Sequence, residues 1–325
     1  MRVSPAASIR TIFLVSVACV AAACSGRGQQ AAPPAGAALH PATSLSQSRV
    51  ALDEGRRGGD DADRDDQGGR VVYNSVPKRI HGIASLGFEC CQVKEFGDGL
   101  NLTHTGRIDQ VAIVMDSWGC QTGHWYSNDC ATSPGATFAV PITMNVYAVA
   151  PSGTRVGALL ATRTTAFNIP FRPSADHVRC TGADAGKFFS AVDNACINGL
   201  PWLISYDFSH PRVNLPSQII VSVAYNTSTS GYSPVGTATA CFVSSGGCGY
   251  DSLNVGASGN GGPTGSALDP NGAFVNYSLV TNYCDPTKGT GFRLDTGPNC
   301  WTGFHPQIRV TVNGGNGDDH HGDSD

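Results

Sequence analysis

The chain is patterned as strands. Val111, Ile113 and Met115 alternate with Ala112, Val114 and Asp116, and Ile142, Met144 and Val146 alternate with Thr143, Asn145 and Tyr147. Trp202, Ile204, Tyr206 and Phe208 alternate with Leu203, Ser205 and Asp207, and Ile308, Val310 and Val312 alternate with Arg309 and Thr311. Side chains of a strand point to opposite faces in turn, so each run predicts a strand with one apolar face. Residues 219–225 are apolar on both faces, which predicts a central strand. Turn-forming residues punctuate the runs: Gly97-Asp98-Gly99, Pro151-Ser152-Gly153, Asn198-Gly199, Ser209-His210-Pro211 and Asn271-Gly272. No long helical period and no internal repeat is present. About eight to ten strands are expected, arranged as an all-β, two-sheet antiparallel β-sandwich of jelly-roll type with long disulfide-closed loops.

The ends depart from this pattern. Residues 1–24 carry Arg2 and Arg10, then an apolar run from Ile12 to Val20, then Ala21-Ala22-Ala23. That is the layout of an export signal, and the run is short for a membrane span. The small residues ahead of Cys24 resemble the lipobox of bacterial lipoproteins, which implies acylation of Cys24. Ala21 stands where Leu is more usual, which keeps plain cleavage after Ala23 open. Residues 25–70 are rich in Ala, Pro and Gly, then in Asp, Arg and Gly, and are expected to form a disordered tether. Residues 71–313 form the expected β-sandwich domain, and 314–325 an acidic, His-containing disordered tail in which His320 and His321 lie among aspartates. Membrane association is expected only through an N-terminal lipid. The location is extracytoplasmic, either anchored to the cell envelope or secreted.

Composition narrows the function. A net charge of -4 with 14% charged residues gives no basic face for nucleic acid. Ten of the 12 cysteines lie beyond the signal region, and an even set in an exported chain predicts disulfides. The simplest pairs are local: Cys120 with Cys130, Cys180 with Cys196, Cys241 with Cys248, and Cys284 with Cys300. Cys90 and Cys91 stay unassigned. No C-x-x-C spacing supports a zinc or thioredoxin-type site.

The Cys120–Cys130 segment draws most interest. Pairing those cysteines displays His124, Trp125 and Tyr126 near a loop tip, with Asn128 and Asp129 as hydroxyl partners: a platform for a glycan or another envelope component. The alternative places Trp125 back against the edge of the sandwich. Tyr225, Tyr232, Tyr250, Trp301 and Phe304 make a second aromatic group, expected between the sheets with polar tips at the rim. Glu95 and Asp98 flank an expected tight turn and are candidate oxygen ligands for a structural Ca²⁺, the only cofactor suggested. Turn chemistry is the competing account of Asp98. G-x-S-x-G, S-x-x-K and H-E-x-x-H are absent. A polysaccharide hydrolase would need two carboxylates about 5–10 Å apart. Asp109, Asp116 and Asp207 are its candidates, against the simpler expectation of solvated strand positions. The primary reading is therefore a non-catalytic binding module. A secreted hydrolase and a purely structural or adhesive envelope protein are the alternatives.

Several stretches carry a resemblance: Glu95-Phe-Gly-Asp98, Ser117-Trp-Gly-Cys-Gln-Thr-Gly123, Pro134-Gly-Ala-Thr-Phe138 and Phe167-Asn-Ile-Pro-Phe-Arg-Pro-Ser-Ala-Asp176. Ala224-Tyr-Asn-Thr-Ser228, Tyr250-Asp-Ser-Leu-Asn-Val-Gly256, Asp269-Pro-Asn-Gly272 and Cys300-Trp-Thr-Gly303 extend it over nearly the whole core. The chain resembles an uncharacterised family of secreted, mostly bacterial β-sandwich proteins. The adjacent Cys90 and Cys91 depart from that pattern. The resemblance implies compartment and architecture, and carries no activity with it.

Overall fold

The computed structural model describes residues 69–80, 82–88, 93–123, 125, 128–225, 253–258, 264–277 and 280–313. Within them run β1 (Gly69–Asn74), β2 (Ala84–Gly87), β3 (Val93–Asn101), β4 (Gly106–Ser117), β5 (Thr137–Val149) and β6 (Val156–Pro170). There follow β7 (Phe188–Ser190), β8 (Ala195–Ile197), β9 (Leu200–Asp207), β10 (Asn214–Leu215), β11 (Gln218–Tyr225) and β12 (Leu253–Ser258). The last are β13 (Ser266–Ala267), β14 (Gly272–Tyr277), β15 (Arg293–Thr296), β16 (His305–Pro306) and β17 (Ile308–Asn313). One sheet has the order β1-β17-β4-β12-β16, with β9 and β10 also pairing β4, and β2 pairing β12. The second has the order β15-β14-β3-β11-β5-β6, with β13 pairing β3, while β7 and β8 form a small separate hairpin. The main pairings are antiparallel.

The two sheets close on one core. β5 contributes Phe138, Val140, Ile142, Met144 and Val146; β4 contributes Ile108, Val111, Ile113 and Met115; β17 contributes Ile308, Val310 and Val312. These are the apolar halves of the alternating runs, and their removal from water is the main force holding the sheets together. The Tyr206 hydroxyl crosses the core to donate to the Ile142 carbonyl at 3.0 Å. β11 lies between β3 and β5. Its Ile219, Val221 and Val223 enter the main core, while Ile220 joins Phe274 and Leu294 in a smaller cluster on the other face. The two-sided apolar character of 219–225 thus has the predicted cause. β1 and β17 are neighbours with Gly69 opposite Asn313, and Asn313 also pairs with Arg107 at the start of β4.

One predicted turn is strand. Gly97-Asp98-Gly99 lies inside β3. A side chain at Gly97 would place its Cβ 2.1 Å from the Val221 carbonyl and 2.5 Å from the Ser222 Cβ. Glycine is used there for close approach between strands, not for chain reversal. Two of the other signals are hydrogen-bonded turns. Gly153 N–H donates to Ala150 O at 2.8 Å between β5 and β6, and Asn271 N–H donates to the Asp269 carboxylate at 2.8 Å ahead of β14.

Three disulfides join Cys120 to Cys130, Cys180 to Cys196, and Cys284 to Cys300. They place the folded chain in an oxidising, extracytoplasmic setting. Cys90, Cys91, Cys241 and Cys248 lie outside the described residues, as does Cys24. No helix among the described residues is long and apolar enough to cross a membrane. The Cys180–Cys196 bridge spans a sequence separation of 16 and ties down the β7–β8 excursion. Replacing both cysteines by alanine is expected to destabilise the protein by about 3 kcal/mol on the loop-entropy account, read as a lower denaturation midpoint.

Candidate functional site

The loop between β4 and β5 is closed at its base by the Cys120–Cys130 disulfide and by reciprocal Thr122–Ala131 backbone hydrogen bonds of 2.9 Å. Trp125 is half-buried, with its indole nitrogen out of solvent, and packs edge-on against Trp118 at 4.8 Å and 90°. The ring therefore folds back on the sandwich and is not displayed at a tip. Asn128 and Asp129 are exposed, and His124 and Tyr126 lie outside the described residues. Beside the disulfide is an open depression of about 340 Å³ lined by Gln121, Thr122, Ala131, Thr132, Ser133 and Ser174. Its walls are fixed by their own hydrogen bonds. Ser133 N–H donates to Gln121 Oε1 at 2.8 Å, and Thr132 N–H donates to Ser174 Oγ at 2.9 Å. The lining is hydroxyls, an amide and a methyl, without a charge.

Under this loop lies a charged pair that the alternation alone did not reveal. Asp116 belongs to the polar half of its strand, where a solvated position was expected, yet it is 2% exposed. The surroundings of β9 and the loop cover it. Trp118 Nε1 donates to its Oδ2 at 2.8 Å, and a Cβ on Gly199 would sit 2.3 Å from both its oxygens. Burial lifts its pKa to about 6, against the opposing effects of the Trp118 and Ser85 hydrogen bonds and the Arg172 charge. Arg172, just past β6, is fully buried. Its backbone N–H donates to Gly119 O at 2.9 Å, its Nη2 to Gly186 O at 2.8 Å, and its guanidinium lies 5.6 Å from the Phe188 ring centre. Burial lowers its pKa to about 10, with the Asp116 charge opposing, so it stays cationic at neutral pH. The displacement of Asp116 from 3.8 to about 6 corresponds to about 3 kcal/mol. A carboxyl raised in this way makes the folded state bind more protons, so it favours folding at low pH and loses that contribution as pH rises from about 4 to about 6. Asp116→Asn is expected to flatten this part of the stability profile, measured by denaturant titration at pH 4, 5, 6 and 7.

Glu95 and Asp98 do not share a calcium ion. They are three positions apart in β3, an odd offset, so they leave opposite faces of the sheet. Glu95 Oε1 accepts from Ser222 Oγ at 2.6 Å, Asn145 Nδ2 at 2.9 Å and Tyr147 OH at 3.0 Å. Asp98 points into the core and meets His305 of β16, on the opposing sheet, through Oδ2 and Nδ1 at 2.8 Å; both side chains are 1% exposed. Asp98 Oδ1 accepts the Gly99 N–H at 2.8 Å, and His305 Nε2 faces the Pro270 carbonyl at 3.2 Å. Both ring nitrogens face acceptors, so the arrangement suits an imidazolium. Burial alone would lower the His305 pKa, but the hydrogen bond and charge of Asp98 raise it above the ordinary histidine value. Burial raises Asp98, with His305 opposing. This Asp–His pair is sealed within the core, where no substrate meets it.

Of the hydrolase candidates, Asp109 lies beside Asp207 in the β4–β9 register, where Phe208 N–H donates to Asp109 O, but Asp116 is not brought to Asp207. Across β4 and β9, Gln110 faces Asp207 and Asp116 faces Pro201. Six residues of strand therefore part the two carboxylates, about 20 Å, well beyond the roughly 5–10 Å of a glycosidase pair. Asp207 is exposed and its carboxylate accepts the Ser209 N–H at 2.8 Å. Among the described residues, one cluster has metal-ligand types: Cys284, Asp295 and Cys300. Its two sulfurs are joined to each other, and Asp295 accepts hydrogen bonds from Cys284 N–H, Asp285 N–H and Trp301 Nε1. It is a structural knot under the β14–β15 connection. In the second aromatic group, Trp301 is buried and the Tyr225 hydroxyl donates across the sandwich to Leu253 O, while Tyr232 and Tyr250 lie outside the described residues. No family model, curated protein or solved structure matches this chain.

Proposed function

We propose that this is an exported, non-catalytic β-sandwich, tethered to the cell envelope by its N-terminal segment, that binds a neutral saccharide on the Cys120–Cys130 loop. The observation that carries the reading is the depression lined by Gln121, Thr122, Ala131, Thr132, Ser133 and Ser174. A rigid, uncharged wall of hydroxyl and amide groups complements the hydroxyls of a sugar ring and gives no purchase to phosphate or to a cation. Binding at such a wall is expected to be weak and insensitive to salt.

The test is a glycan-array screen of the full oxidised chain beside Ala131→Trp, which fills the depression from an exposed position. Specific binding by the parent, reduced at least tenfold in the variant, supports the reading. Absence of binding by the parent, or equal binding by both, overturns it. One observation favours the structural or adhesive alternative: Trp125 is folded against Trp118 and so is withheld from a partner. An array without any hit moves the reading there.

A further inference from the structure

Asp116 and Arg172 are both buried, and each keeps buried polar atoms without a hydrogen-bond partner. Arg172 Nη2 reaches Gly186 O, while its Nε and Nη1 are buried without a hydrogen-bond partner. Asp116 takes the Trp118 indole on Oδ2 and has the Ser85 hydroxyl against its carboxylate, while Oδ1 is buried without a hydrogen-bond partner. The charges feel each other. Yet among the described residues no ion pair joins them: the ion pairs of this region, Asp176–Arg179 and Asp184–Lys187, use other groups. Buried polar atoms in native proteins are very rarely left in this condition, and charged ones least of all.

We propose that Asp116 and Arg172 are joined through ordered internal water, with water donating to Asp116 Oδ1 and accepting from Arg172 Nε or Nη1. The donor set selects the ligand. An anion would meet the Asp116 carboxylate, and a metal cation would meet the Arg172 guanidinium. An apolar group would leave all three atoms unpaired. A small neutral molecule that both donates and accepts suits the pair, and water is the smallest. The site is enclosed by groups already fixed: Trp118 on one carboxylate oxygen, Gly199 at a distance that tolerates no Cβ, and Phe188 on the guanidinium. It also lies at the root of the disulfide loop, because Arg172 N–H holds Gly119 O. The hydration site therefore belongs to the scaffold that orients the loop, whatever the loop binds.

The experiment is a crystal structure of the full oxidised chain at a resolution that shows water, with a parallel bromide soak. The expected result is a density peak within about 2.6–3.2 Å of both Asp116 Oδ1 and an Arg172 nitrogen, without anomalous bromide signal. A direct carboxylate–guanidinium contact, an unfilled gap or a bromide at that point overturns the proposal. In solution, water-oxygen relaxation dispersion should count at least one fewer long-lived internal water in Arg172→Met than in the parent. An unchanged count overturns it as well. The crystallographic arm needs no variant, so a folding failure of Arg172→Met leaves the test intact.

Discussion

Asp98→Ala is expected to destabilise the protein by about 3–5 kcal/mol, and His305→Ala by a similar amount, because each leaves the other partner buried and uncompensated. The two residues come from opposing sheets, at 1% exposure each, so neither can turn to solvent without opening the sandwich. The double replacement Asp98→Leu with His305→Leu is expected to cost less than either single change, since no charge then remains in the core. The pH dependence has a definite sign. His305 has a raised pKa when folded, so its contribution is present below about 6.5, the ordinary histidine value, and is lost as pH rises through the raised value. The raised pKa of Asp98 acts in the same direction. Denaturant midpoints at pH 6 and pH 9 should fall with rising pH in the parent, and should fall less in the Leu/Leu variant. Equal slopes would remove the pair from the account.

Gly97→Ala is expected to cost about 4 kcal/mol or more, at the extreme of single-substitution effects. Its Cβ would meet the Val221 carbonyl at 2.1 Å and the Ser222 backbone at 2.7 Å, atoms that cannot swing aside because they belong to the central strand β11. Relief requires β3 and β11 to part, and with them the register that sets Asp98 facing inward. Gly135→Ala is the control. It has φ +78° with open space around it, so about 1 kcal/mol for the backbone conformation is the whole expectation. A Gly97→Ala loss no larger than that of Gly135→Ala would contradict the close-approach argument.

These two cases also mark what the sequence discloses. The alternating runs at 111–115, 142–146, 202–208 and 308–312 were legible because burial on one face of a strand imposes a period of two. The three described disulfides were legible because each closes a local loop. Gly97-Asp98-Gly99 was misread because glycine serves both chain reversal and close packing. Only the neighbour, here Val221, tells them apart. Asp98 with His305, and Asp116 with Arg172, were not legible as pairs. They are 207 and 56 positions apart along the chain, and nothing in a one-dimensional pattern says that two polar residues will be buried facing each other. The orientation of Trp125 was not legible, because it depends on Trp118 and on the fold of the loop.

The pairing of β1 with β17 sets an orientation. Gly69 and Asn313 face each other beside Arg107, at the beginning of β4, and Trp118 with the Cys120 loop stands just past the other end of the same strand. Ten or so residues of strand span about 30 Å. The polypeptide thus enters and leaves the sandwich at one pole and carries its disulfide loop at the opposite pole. Any anchor on the segment before Gly69 is therefore attached at the pole opposite the Gln121–Ser133 wall, and the chain leaves the sandwich after Asn313 at that same pole.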